Sequence, residues 1–227
     1  MFLNLFNAVV RKKQRVLYIF RFIWFLELLI LFFSLKSVIL NTPDYAFFYP
    51  IAVLSGKLAL VFFTIVLTPG IFKRFGVRNR VLGLLLIFRR QFGITMFLFA
   101  ALHGLTVSVM PKIVNNALFR FSVFELYGLS ALILLLLLFL TSNDFSQNRL
   151  GKSWYLLHRL VYLIMWLILI HVALQRLSYW SVLASILVVA EMAGIIYSNL
   201  KKYINASIQS SADNSVIVRS PLNKGQR

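Results

Sequence analysis

Three side chains in this 227-residue sequence stand out as able to do chemistry: His103, His158 and His171. Imidazole binds metal ions and haem iron, and near neutral pH it also moves protons. The last two bracket the stretch "LHRLVYLIMWLILIHVALQ" (157–175), which is otherwise almost pure hydrocarbon. Haem ligation needs imidazoles facing a flat macrocycle between helices. A proton relay wants carboxylates close by, and the acids within apolar stretches are few: Glu27, Glu125 and Glu191. A metal transporter would gather more His, Met, Asp or Glu ligands at one depth, with broken helices, and the sequence shows neither. The bland alternative is a histidine hydrogen-bonded across a helix interface, worth on the order of 1 kcal/mol. All three histidines lie in apolar runs and none in a loop, which argues against that alternative. Their spacing favours haem.

Those runs have the length of membrane spans. The chain is 60% hydrophobic, with a mean hydropathy of +0.85, and about 20 apolar residues cross a bilayer as a helix. Six such stretches are present, at 16–38, 51–69, 91–110, 122–141, 154–175 and 179–199. The expected fold is all-α: a polytopic membrane protein with a six-transmembrane-helix bundle over 16–204. A short segment at 1–15 precedes it, and a polar, Ser-rich tail at 205–227 follows, where composition predicts little order. Residues 81–88 are apolar but too short to span, and flanking bases predict that they lie in the interface.

Charge orients the chain. There are 24 basic and 6 acidic residues. The bases gather before span one, between spans two and three (Lys73, Arg74, Arg78, Arg80, Arg89, Arg90), between spans four and five (Arg149, Lys152) and after span six (Lys201, Lys202). The positive-inside rule then predicts both termini in the cytoplasm. Topology and anionic lipid account for the net charge of +18 without nucleic acid. No small-residue cleavage site follows the first apolar run, so no cleavable signal peptide is expected. The chain has no cysteine, which excludes disulfides, Cys-ligated zinc, iron–sulfur clusters and covalently attached c-type haem.

His158 and His171 are 13 residues apart, a rise of roughly 20 Å that places them near opposite membrane faces. An ideal helix would also turn them roughly 140° apart, so they do not share one strict face. Tilt, a helix bulge or two offset sites would each reconcile this.

The sequence around the histidines resembles a known family. "RRQFGITMFLFAALHGL" (89–105) is similar to the signature of the ferric-reductase-like transmembrane domain, and "SGKLALVFFTIVLTPG" (55–70) is similar to its second span. "TSNDFSQNRLGKSWYLLHRLVYLIMWLILIH" (141–171) resembles most closely the family's bacterial MsrQ (YedZ) branch, the haem-binding membrane subunits of the periplasmic methionine-sulfoxide reductase system. The resemblance covers roughly 45–200. It implies a b-type cytochrome with one haem b or two. Electrons would come from a cytoplasmic flavin reductase, with FMN as a candidate carrier, and pass to a periplasmic molybdenum-cofactor reductase.

The same resemblance implies that His103 and His171 ligate an outer haem and that His158 belongs to an inner site. Relatives with two bis-histidine haems carry a further histidine in span three, where this chain has Arg89 or Arg90. Arg89, Arg90 and Arg159 sit near the inner depth and suit anionic haem propionates, although the positive-inside rule explains them as well.

Smaller features carry further expectations. Gly93 and Gly104 suit close approach of a helix or macrocycle. Pro69 is expected to mark a helix end, and a Glu27–Lys57 pair is possible at shared depth. No nucleotide-binding motif appears, so electrons are expected from a separate partner and the chain acts as an electron-transfer subunit rather than a stand-alone catalyst. The alternatives are a membrane ferric or quinone reductase, or, in another class, a cofactor-free transporter or structural membrane protein.

Overall fold

The computed structural model of the chain describes residues 11–77, 79–117 and 120–218. Among them are helices and turns but no strand. Six helices are long and apolar enough to cross a membrane: Lys13–Ile39, Tyr45–Arg74, Arg89–Val114, Val123–Leu140, Lys152–Gln175 and Tyr179–Gln209. Each predicted span matches one of them, and the protein is an all-α, multi-pass membrane protein. The segment at 81–88 forms a short helix, Arg80–Ile87, whose first turn is capped by Asn79 accepting the Leu82 N–H at 2.8 Å. The sixth helix runs on to Val218, past the point where composition predicts little order. No Gly or Pro interrupts the chain between Gly194 and Pro221 to stop it. Residues 1–10 and 219–227 of the predicted terminal segments lie outside the described residues.

Three span ends share one way of stopping. Asn41, Gly76 and Asn116 have φ of 49°, 79° and 51°. The residue after each returns its N–H to a carbonyl of the last turn: Thr42 to Ser37 at 3.0 Å, Val77 to Phe72 at 3.0 Å, and Ala117 to Lys112 at 2.7 Å. This is the Schellman closure, which needs a left-handed residue that Gly and Asn tolerate.

Pro69 does not end a helix. Both Pro50 and Pro69 lie inside span two, which continues to Arg74. Thr64 and Thr68 donate their hydroxyls to Leu60 and Thr64 carbonyls at 3.0 and 2.7 Å, keeping this part of the helix internally bonded. Membrane helices tolerate proline because local side chains and neighbours compensate the lost bond.

Two spans are locally irregular. Span three passes through a π-helical stretch, Leu105–Val109, directly after His103 and Gly104. Span five is interrupted at Arg159, between helices Lys152–His158 and Leu160–Gln175. There the bonds tighten to three-residue spacing, Arg159 N–H to Leu156 at 3.1 Å and Tyr162 N–H to Arg159 at 3.1 Å. Such a turn winds faster than an α-helix, which reduces the angular offset between His158 and His171.

Spans two and three pack most extensively, followed by spans four and five. The buried core joins Phe63 and Leu67 of span two, Phe97 and Ala101 of span three, Ala131 and Leu135 of span four, Ile164 and Met165 of span five, and Leu187 and Val188 of span six. Lipid is as apolar as leucine, so burial alone does little to hold such helices together; small residues and polar contacts must contribute. Spans one and three show this. They run parallel in a register fixed by Trp24 Nε1–H to Thr95 Oγ1 at 2.9 Å and by Ser34 with Thr106 at 2.8 Å.

Glu27 lies between those contacts and is buried, with no hydrogen-bond partner for either carboxylate oxygen among the described residues. The Glu27–Lys57 pair does not form. Lys57 instead sits 5.9 Å from the ring centre of Trp180 on span six, where a cation–π contact holds the ammonium on the other side of span two.

Candidate functional site

His103 comes next to last in helix Arg89–Gly104, and its Nδ1 is 3.0 Å from the Ala52 carbonyl oxygen of span two. His171 of span five places its Nδ1 2.7 Å from the Phe124 carbonyl oxygen of span four. A carbonyl oxygen only accepts, so in both rings Nδ1 donates and the lone pair of the neutral ring is on Nε2. This is how a metal-ligating histidine is held: one nitrogen fixed by an acceptor, the other free to bind. Among the described residues neither Nε2 has a hydrogen-bond partner.

Both rings rest on bare backbone. A Cβ at Gly56 would lie 2.8 Å from Cγ and Nδ1 of His103, and one at Gly128 would lie 2.7 Å from Cε1 and Nδ1 of His171. Neither glycine stood out from sequence. Of those that did, Gly93 has no atom within 4 Å of an added Cβ, while Gly104 meets Leu132 at 2.9 Å.

Among the described residues no group of three or more His, Cys, Asp or Glu is placed to hold a metal ion. His103 and His171 each keep one ring nitrogen unpartnered, with no third ligand of those types grouped with them among the described residues. A haem, which brings its own ring nitrogens, would suit two imidazoles better than a bare ion would.

His158 lies toward the other, basic end of span five. Its ring stacks on Trp154 with centroids 3.9 Å apart and 26° between planes, and its Nδ1 is 3.2 Å from the Trp154 carbonyl oxygen. Trp154 is itself anchored, donating Nε1–H to the Thr141 carbonyl at 2.9 Å. Nε2 of His158 is buried, with no hydrogen-bond partner among the described residues.

The three arginines separate. Arg89 is exposed and begins helix Arg89–Gly104 at the basic end. Arg90 bonds Asp144 at 2.5 Å, and this bond together with the arginine charge holds the Asp144 carboxyl below its ordinary value. Arg159 is exposed, and its side chain has no hydrogen-bond or ion-pair partner among the described residues.

One polar cluster near His158 is invisible to spacing. Arg74 pairs with Glu191 of span six and donates to the Tyr162 hydroxyl of span five at 2.6 Å. Glu191 is 2% exposed, and its second oxygen, like Oε1 of Gln91, is buried with no hydrogen-bond partner among the described residues. A lone carboxylate in an apolar span signals that a base must meet it, but nothing in the sequence indicates which one.

The multi-pass helical bundle thus presents two imidazoles from different spans, each held through Nδ1 and without a hydrogen-bond partner at Nε2 among the described residues. The chain belongs to the family described as ferric reductase like transmembrane component, whose family model matches residues 55–170. It is similar to the protein-methionine-sulfoxide reductase heme-binding subunit MsrQ of Rhizobium meliloti, 41% identical over 83 residues, or 34% of this chain and 38% of that protein. The protein of the same name from Agrobacterium fabrum is 34% identical over 100 residues, 41% of this chain and 46% of its own. That from Brucella ovis is 36% identical over 83 residues, 35% and 38%. The chain thus spans less than half the length of each of these relatives. No solved structure matches.

Proposed function

We propose that this protein is a membrane b-type cytochrome subunit in which His103 and His171 are the axial ligands of one haem b. The observation that carries the reading is the pair of Nδ1–H···O=C bonds, to Ala52 and Phe124, which leave two Nε2 donors unpaired in one bundle. Bound haem would supply one-electron chemistry at its iron. The chain's own residues do the rest. The two carbonyls orient the rings, Gly56 and Gly128 make room for them, and the apolar spans exclude water. With no cysteine in the chain, only axial bonds and packing would hold the macrocycle.

His158 is the candidate ligand of a second, inner haem. Its buried Nε2, without a hydrogen-bond partner among the described residues, supports this, and Arg89 at the basic end would suit a propionate. Arg159 remains available for a propionate, whereas Arg90 is engaged by Asp144. Because the bases gather at one end of the bundle, the reading places that end and both termini in the cytoplasm of a bacterial inner membrane. Electrons would enter there from a cytoplasmic flavin reductase, with FMN as an intermediary. They would leave on the periplasmic side to a molybdenum-cofactor methionine-sulfoxide reductase, a partner suggested by the names of the relatives.

The test is a reduced-minus-oxidised visible spectrum of the detergent-purified protein beside His103→Ala and His171→Ala. Wild type is expected to show a b-type spectrum that both variants lose. A colourless wild type, expressed with ample haem, overturns the reading. A second reading, direct exchange with a membrane quinone, draws on a largely apolar groove of about 290 Å³ between spans two and six, lined by Thr64, Thr68, Phe72 and Leu183 among others. Rapid haem reduction by a quinol alone would favour it.

A further inference from the structure

The two histidines occupy the same device, built twice. Ala52 and Gly56 are four residues apart on span two, and so are Phe124 and Gly128 on span four. In an α-helix the side chain of residue i+4 leans back over the turn before it, toward the carbonyl of residue i. That carbonyl already accepts the i+4 N–H, and its second lone pair is normally shielded. A glycine at i+4 uncovers it. His103 enters the gap over Gly56 and donates to Ala52; His171 enters the gap over Gly128 and donates to Phe124. Each histidine follows its acceptor by one hairpin, 51 and 47 residues later. Each device also joins one of the two most extensively packed helix pairs.

We propose that Gly56 and Gly128 are positioning residues that set the tautomer and ring plane of the axial ligand pair. The inference rests on the haem reading for its consequence but not for its geometry. An added methyl group at either glycine would overlap the ring, because real Cβ atoms essentially never approach a neighbour within 3.0 Å. The ring would have to leave its carbonyl, freeing Nδ1 and turning Nε2 away. The choice of acceptor matters as well. A peptide carbonyl pulls less strongly on the Nδ1 proton than a carboxylate would, so it fixes the ring without making it a markedly stronger donor.

The sign of the effect separates positioning from fold. Replacing a helical glycine by alanine ordinarily favours the helix. Gly70 of span two serves as the control, since an added Cβ there meets nothing within 4 Å. The experiment compares full-length wild type, Gly56→Ala, Gly128→Ala and Gly70→Ala by thermal unfolding, haem-to-protein ratio and electron paramagnetic resonance of the ferric haem. Gly56→Ala and Gly128→Ala are expected to lose at least half the haem or shift its low-spin signal, while the control matches wild type. If all three variants match wild type, the proposal fails and the haem reading stands.

If wild type holds no haem, the haem reading fails, and ¹⁵N magnetic resonance of the imidazoles still decides the geometry. His103 and His171 protonated at Nδ1 in wild type, with that preference lost in the matching glycine variant, would support the device. Protonation at Nε2 in wild type would overturn it.

Discussion

The Phe124 carbonyl that receives the His171 Nδ1 hydrogen at 2.7 Å sits in the first turn of span four, and Glu125 ties that turn in place. One Glu125 oxygen accepts from the Ser122 N–H at 2.8 Å and from its hydroxyl at 2.7 Å; the other accepts from Lys112 at 2.5 Å and Ser108 at 2.8 Å. Span three is thereby latched to the start of span four, just beyond the π-helical stretch.

Glu125→Ala should therefore loosen the carbonyl that orients His171. The helix-start bonds alone suggest a loss of about 1 kcal/mol, read from the unfolding midpoint, together with a weaker or shifted haem band. Phe124→Leu leaves the carbonyl in place and is expected to leave the band unchanged. If Glu125→Ala behaves like Phe124→Leu, the latch has no bearing on the ligand.

Removing Glu191 strands a cation. Breaking a buried pair costs on the order of 3 kcal/mol, much of it the penalty on the charge left behind; Arg74 is 22% exposed, so water will reduce that figure. Glu191→Ala is expected to lower stability more than the Arg74→Met, Glu191→Leu double variant. The unfolding midpoints of the two variants, measured in one detergent, test the ranking.

Asp144 gives a pH dependence. A carboxyl held below its ordinary value of 3.8 in the folded state contributes stability fully above that value. The contribution is lost as pH falls through the lowered value. Wild type is expected to unfold at a higher temperature than Asp144→Asn at about pH 6, with the gap closing toward about pH 2. The pair is exposed, so added salt should shrink the gap as well.

Ser34 and Thr106 offer a cleaner interhelical bond. A double-mutant cycle of Ser34→Ala with Thr106→Val is expected to give a coupling of about 0.6 kcal/mol, the usual size inside membranes. A coupling of zero would mean that the register of spans one and three is set elsewhere, by Trp24 and Thr95.

The six spans were legible because about 20 apolar residues in a row have few other uses, and the three histidines were legible because imidazole in such a run demands a reason. What holds the histidines was not. Ala52 and Phe124 act through carbonyls that every residue possesses, and Gly56 and Gly128 acquire meaning only once a neighbouring helix brings a ring to them. Arg74 and Glu191 lie 117 residues apart, and hydropathy carries no information about which helix faces which. Pro69 misleads for a related reason: its cost in water is offset inside a bundle. The interruption at Arg159 has no Gly or Pro to announce it.

The distance in sequence between Arg74 and Glu191 also orders the birth of the protein. Arg74 leaves the ribosome with span two, 117 residues before its carboxylate is made. Its other partner, Tyr162, is made with span five, before Glu191 is made with span six. The last span thus closes a latch that the earlier spans hold open. A chain ended after Gln175 should insert its first five spans yet leave Arg74 uncapped, and should be cleared by membrane proteases faster than the full chain.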